Sequence, residues 1–199
     1  MPEDWSKIIA PWQGVGPRGV SGGIGPPCET CGVSTWVELA GGPSDDVYRP
    51  NIDRRATPDG VVGNVDIVYD LRNGIPLHDG HAARLKMIDV FNYFTQPEAK
   101  VLLQECLRVL RPGGSFYLRV LDLIFVCQRI VEDGAIQPWL EALYHSPDCA
   151  DGPNGEGFHR WGYSAESLKA TLEAAGFVHF TFRHFYNRWE AIYEAWKPS

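Results

Sequence analysis

Between Thr95 and Val120 the sequence specifies one helix feeding one strand. Thr95-Gln96-Pro97-Glu98 supplies a threonine N-cap, a proline in the first turn and a glutamate at the capping-box position. Val101, Leu102, Cys106, Val109 and Leu110 follow as the expected apolar face. Arg111-Pro112-Gly113-Gly114 then stops the helix and turns the chain into Ser115-Phe116-Tyr117-Leu118-Arg119-Val120, an apolar run that reads as a strand. Helices alternating with short apolar runs are the pattern of an α/β fold.

The rest of the chain repeats that alternation. Thr35–Leu39 is a strand running into the tight turn Ala40-Gly41-Gly42-Pro43. Val65–Tyr69 is a second, ending on Asp70, and Leu85–Val90 a third. Helices are expected over Leu123–Val131 and Pro138–Tyr144, followed by a polar loop, Ser146–Gly157, long enough to face a substrate. Ser164 caps a further helix with Leu168 and Leu172 on one face and Gly176 at its end. Val178, Phe180 and Phe182 alternate with polar residues, and Trp189–Trp196 forms a partner strand across a turn near Tyr186-Asn187. Phe177, Phe180, Phe182, Phe185, Trp189, Tyr193 and Trp196 are read as sheet core.

With 199 residues, 44% of them hydrophobic, one domain with a sizeable core is expected. The segment Pro11–Pro27 holds 6 Gly and 4 Pro among 17 residues, so residues 1–33 are read as an N-terminal arm able to dock on the body or on a partner chain, a second copy included, and residues 34–199 as the domain. A net charge of -7 without any Lys/Arg run argues against long nucleic acid and anionic membranes. The acidic start and the lack of an apolar run of membrane-spanning length point to a cytoplasmic protein. Five cysteines are an odd number for a disulfide framework. Cys28 and Cys31 could supply half a zinc site with His145, Cys149 or His159, but are read as ordinary thiols. His78 and His81, on a turn, are read as solvent-facing, and no metal ligand is assigned.

On these blocks the chain resembles the class I S-adenosylmethionine-dependent methyltransferases, closest to the small type-11-like bacterial branch, over residues 34–199. The stretch from Glu98 through Arg111-Pro112-Gly113-Gly114 to Val120, and that from Trp161-Gly162-Tyr163-Ser164 to Gly176-Phe177, carry the likeness. It implies a Rossmann-like, seven-stranded, mostly parallel sheet with an antiparallel last strand and helices on both faces. It also implies S-adenosylmethionine as cofactor. Glu38, Ala40, Gly41 and Gly42 would then admit the methionine part, with Ala40 where the family has its first glycine. Asp53, in Asn51-Ile52-Asp53, would accept the ribose hydroxyls, and Asp70-Leu71 would meet the adenine edge. Asp89 would stand at the methionine end or the acceptor. Asn92-Tyr93 stands where the branch often has Glu-His.

Each position also has a plainer reading. Asp53 is a turn aspartate, Asp70 and Asp122 are caps, Asp89 is a solvated strand end, and His159 is a loop histidine bound to backbone. What joins them is the expectation that the strand ends near residues 42, 53 and 70 converge, as ligand-binding strand ends do in open α/β sheets. The expected reaction is methyl transfer to a small-molecule or sugar acceptor by in-line displacement, with Asp122 and His159 as candidate bases. The alternatives are a non-catalytic binding or assembly subunit, and transfer of another group from the same cofactor.

Overall fold

The computed structural model of the chain describes residues 26–41, 50–54, 65–144, 158–184 and 190–199. Seven strands, β1 (Trp36–Leu39), β2 (Asn51–Asp53), β3 (Ile67–Val68), β4 (Ala82–Ile88), β5 (Leu110–Leu121), β6 (Val178–His184) and β7 (Glu190–Trp196), form one sheet in the order β3-β2-β1-β4-β5-β7-β6. The first five run parallel, β7 is antiparallel to both of its neighbours, and helices lie around the sheet. The expected seven-stranded Rossmann-like sheet is thus observed.

One face of the sheet is apolar. The register aligns Val37 with Leu85 and Phe116, and Leu39 with Ile52, Met87 and Leu118, all buried in a single core. Helix α1 (Gln96–Val109) covers that core with Ala99, Leu102, Leu103, Cys106 and Val109. Val101, expected on this face, is 55% exposed, because helical spacing from Ala99 reaches Leu102, Leu103 and Cys106 and leaves Val101 outward. The Thr95–Glu98 capping box forms as expected. The chain then builds α2 (Leu123–Asp133), α3 (Gln137–Tyr144) and α4 (Ala165–Ala175). Helix α4 is capped by Ser164 and closed by Gly176 at φ 112°, and lies on α1, where Gln104 Nε2 donates to the Ala175 carbonyl at 3.0 Å. No described helix is long and apolar enough to cross a membrane.

Two strand boundaries differ from the sequence reading. Strand β4 begins three residues earlier, at Ala82, and stops at Ile88 because Asp89 takes a left-handed conformation at φ 56°. Arg111-Pro112-Gly113-Gly114 is not a separate turn but an irregularity inside β5, opposite the register shift between Ala82 and Arg84. A side chain at Gly114 would meet the Arg111 carbonyl at 2.9 Å and those of Ala82 and Ala83 at 3.1 Å, so glycine is required there. At the far edge, His179 at φ 52° interrupts the alternation of β6, and Phe182 is 46% exposed although it lies against Tyr193. Phe177 and Tyr193 are core as expected; Phe185, Trp189 and the turn near 186–187 lie outside the described residues.

The connection from β3 to β4 crosses β2 and β1 without an α-helix, so its backbone groups need other partners. A single arginine on α1 supplies them. Arg108 donates to the carbonyls of Ile75 and Leu77, to Asp79 Oδ1 and to both oxygens of Glu105, at 2.7–2.8 Å. Glu105 in turn accepts from the Ile75 amide at 3.0 Å. Chiefly through Arg108, its carboxyl is held below the ordinary glutamate range.

Arg108→Met should therefore cost about 3 kcal/mol in chemical denaturation, by leaving a half-buried carboxylate and two carbonyls without their donor. A depressed carboxyl contributes stability above its unfolded value and loses it as pH falls through the folded one. The parent protein should thus lose stability steeply below about pH 4.3, while the variant starts lower and shows a flatter acid limb.

Candidate functional site at the carboxyl edge of the sheet

Five parallel strands end on one edge, and the order in which strands are added to the sheet reverses between β1 and β4, with β2 and β3 on one side and β5 on the other. Such a switch point leaves a crevice beyond the strand ends. Both strands there end in a left-handed residue that is not glycine: Ala40 after β1 and Asp89 after β4, each at φ 56°. Ala40 therefore adopts the conformation that a glycine would take at this position, with a Cβ that costs about 1–2 kcal/mol. The turn is fixed by short bonds: Ala40 N donates to the Ile52 carbonyl at 2.6 Å and Gly41 N to Asn51 Oδ1 at 3.1 Å. Gly42 lies outside the described residues.

The next strand along, β2, ends in Asp53, whose residue is 5% exposed and whose carbonyl accepts from Tyr69 N at 2.8 Å. The ends of β3, β2 and β1 are thus neighbours pointing the same way. Glu38, 1% exposed, meets Lys86 Nζ at 3.2 Å across the β1–β4 register pair. Removing one partner of a buried pair is far costlier than the pair's net value.

The other rim carboxylates are engaged. Asp70 caps the short 3-10 turn Leu71–Asn73, accepting from Arg72 N at 3.0 Å, and pairs with the Arg72 guanidinium at 2.6 Å, which holds its carboxyl below the usual range. Leu71 has its side chain in the core. Asp89 accepts from Arg119 Nε at 2.9 Å and is bound by a second nitrogen of the same guanidinium. Asp122 caps α2, accepting from Ile124 N and Phe125 N at 3.0 and 3.1 Å, so the plainer reading of Asp122 describes what the structure shows. His159 packs edge-on against Tyr93, with Nδ1 3.3 Å from the Leu143 carbonyl. A carbonyl only accepts, so this contact calls for a proton on Nδ1.

Two residues at this edge make contacts that the sequence reading did not assign, having noted Asn92 only where the branch often has Glu-His and Tyr163 only within the Trp161–Ser164 block. Asn92, 1% exposed, donates to the Trp161 carbonyl and accepts from Leu121 N, while its own carbonyl receives Arg160 N and Trp161 N. It ties the end of β5 to the segment carrying His159. Tyr163, stacked 5.2 Å from Phe91, has a buried hydroxyl with no hydrogen-bond partner among the described residues. Burial pushes that phenol up to about 12. A Phe at either position would satisfy the same apolar pattern, so no periodicity marks them.

The histidines of the turn also differ from expectation. His81 is 1% exposed rather than solvent-facing, and it gathers with His78, Cys28 and Cys31 at the opposite, amino end of the sheet. His159 lies with Tyr93 and Leu143 instead, and His145 and Cys149 fall outside the described residues.

The strand order and the reversed β7 define the class I S-adenosylmethionine-dependent methyltransferase fold, and solved structures of that fold superpose on the chain. A methyltransferase from Archaeoglobus fulgidus does so with a TM-score of 0.55 and 10% identity, over 81% of this chain and 85% of that one. A Thermotoga maritima methyltransferase, described as a possible histamine N-methyltransferase, gives 0.54 and 14% over 82% and 81%. Human N-acetylserotonin methyltransferase in complex with S-adenosylmethionine gives 0.54 and 14%, over 82% of this chain and 47% of that one. At these identities the likeness is one of fold. No sequence-family profile matches the chain, and no curated protein matches it.

Ala40→Gly should leave stability unchanged or raise it by up to about 1 kcal/mol in urea denaturation, since it relieves left-handed strain against a small entropic loss, whereas Ala40→Val should destabilise. Lys86→Met, which removes the cation facing buried Glu38, should cost about 3 kcal/mol in the same assay.

Proposed function

We propose that the chain is an S-adenosylmethionine-dependent methyltransferase acting on a small-molecule or sugar acceptor. The observation that carries this reading is the switch point, where β1 and β4 both end in left-handed residues and the neighbouring β2 ends in buried Asp53. The Ala40-Gly41 turn brings backbone, rather than side chains, to the place where the methionine part of the cofactor would lie. Asp53 is suited to the two ribose hydroxyls because a carboxylate accepts two hydrogen bonds and donates none. Asp70-Leu71 would border adenine, with Asp70 held by Arg72.

S-adenosylmethionine supplies a methyl group already activated on a sulfonium, so the protein's task is alignment and exclusion of water. For a hydroxyl acceptor, His159 is the better base of the two candidates, because Asp122 is committed to capping its helix. The narrower placement in the type-11-like bacterial branch rests on the Arg111–Gly114 and Trp161–Gly176 blocks, and the cytoplasm is the compartment that fits the reading.

A second reading, a non-catalytic relative that binds or assembles, draws on the arginine pairing of Asp70 and Asp89. Calorimetric titration with S-adenosylhomocysteine separates the two. Measurable binding is expected, and Asp53→Ala should weaken it at least about tenfold, a loss of about 1.4 kcal/mol or more. No heat at millimolar ligand would remove the enzyme reading, and product mass would distinguish a methyl group from any other transferred group.

A further inference from the structure

At the amino end of the sheet, four side chains from two short turns meet. The first turn, Cys28-Glu29-Thr30-Cys31-Gly32, is closed by Cys28 N bonding the Val33 carbonyl at 2.7 Å and by the antiparallel Pro27–Ser34 bridge, with Gly32 at φ 73°. The second, His78-Asp79-Gly80-His81, is held by Arg108 and by Gly80 N on the Arg108 carbonyl at 3.0 Å. These turns lead directly into β1 and β4, which are paired neighbours.

The ligand atoms all lie within 4.8 Å of one another. Cys28 Sγ is 3.3 Å from His78 Nε2, Cys31 Sγ is 3.6 Å from His81 Nδ1, and the two ring nitrogens are 3.3 Å apart. A tetrahedral ion with the usual zinc–nitrogen and zinc–sulfur bond lengths sets N···N at about 3.4 Å and N···S at about 3.6 Å. These one N···N and two N···S separations are close to those of such a shell.

Hydrogen bonding points the same way. His81 Nε2 lies 2.9 Å from the Ser34 carbonyl, and His78 Nδ1 2.9 Å from the Asp79 carbonyl. Carbonyls only accept, so both outer nitrogens carry the protons. The inner nitrogens face each other 3.3 Å apart with the two sulfurs beside them, so that once the thiols have lost their protons all four atoms can donate a lone pair to a cation placed between them. Outer N–H groups bonded to backbone carbonyls are also how ligating histidines are usually oriented.

We propose that Cys28, Cys31, His78 and His81 bind one zinc ion. Two thiolates and two neutral imidazoles match zinc in softness and geometry, and four protein ligands leave no open position, so the ion is structural. Its place, at the opposite end of the strands from the carboxyl edge, agrees. Binding releases the remaining thiol protons to solvent and involves no redox step.

The full-length chain, purified without chelator, should contain about one zinc per molecule by elemental mass spectrometry. Cobalt(II) exchanged into it should give the intense visible bands of a tetrahedral site and the charge-transfer band of thiolate ligation. Cys28 and Cys31 should resist a thiol reagent until a strong chelator is added, and Cys31→Ser should lose the charge-transfer intensity or the metal. Should that variant fail to fold, the cobalt titration and thiol protection of the unaltered chain decide alone. A metal-free protein that takes up no cobalt, or whose Cys28 and Cys31 are recovered as a disulfide with no change on adding zinc, overturns the proposal.

Discussion

The link from β3 to β4 must pass under two strands with only a 3-10 turn of its own, and a side-chain clasp from α1 replaces the internal hydrogen bonds that a crossover helix would have provided. Arg108 and Glu105 thereby couple the helix that covers the core to the loop that delivers β4. Because β4 sits at the centre of the sheet, between β1 and β5, the position of that loop sets the register of the whole parallel half. The carboxyl edge and the cysteine–histidine turns are two ends of strands held in this way.

Much of this was legible in the residues. Thr95–Glu98, Ser164 and Gly176 each carry a local mechanism that needs no tertiary partner, and each stands where it was expected. Legibility failed where geometry depends on distant chain. The outward position of Val101 follows from how α1 sits on the sheet, and the absorption of Arg111–Gly114 into β5 follows from pairing with Ala82 and Lys197. The cysteine and histidine pairs are separated by 50 residues, so that neither motif discloses its counterpart.

At the carboxyl edge the structure shifts emphasis from side chains to main chain. Ala40 departs from glycine in identity but not in conformation, which makes the altered turn a conservative change of backbone geometry. Asp70, Asp89 and Asp122, which looked alike as strand-end carboxylates, are separated by their partners: two guanidiniums and a helix terminus. The capping roles of Asp70 and Asp122 were legible in the sequence, whereas the arginines that hold Asp70 and Asp89 were not.

Among the described residues the sheet has β3 and β6 as its edge strands, and both are irregular. At one, β3 contributes only two residues; at the other, the left-handed His179 breaks the ladder of β6 before Thr181. A border needs several consecutive unpaired amides and carbonyls in register to recruit a foreign strand. β3 is too short to offer them and the left-handed His179 shortens the regular row of β6 to Thr181–His184, which limits edge pairing beside the exposed Val68 and Phe182.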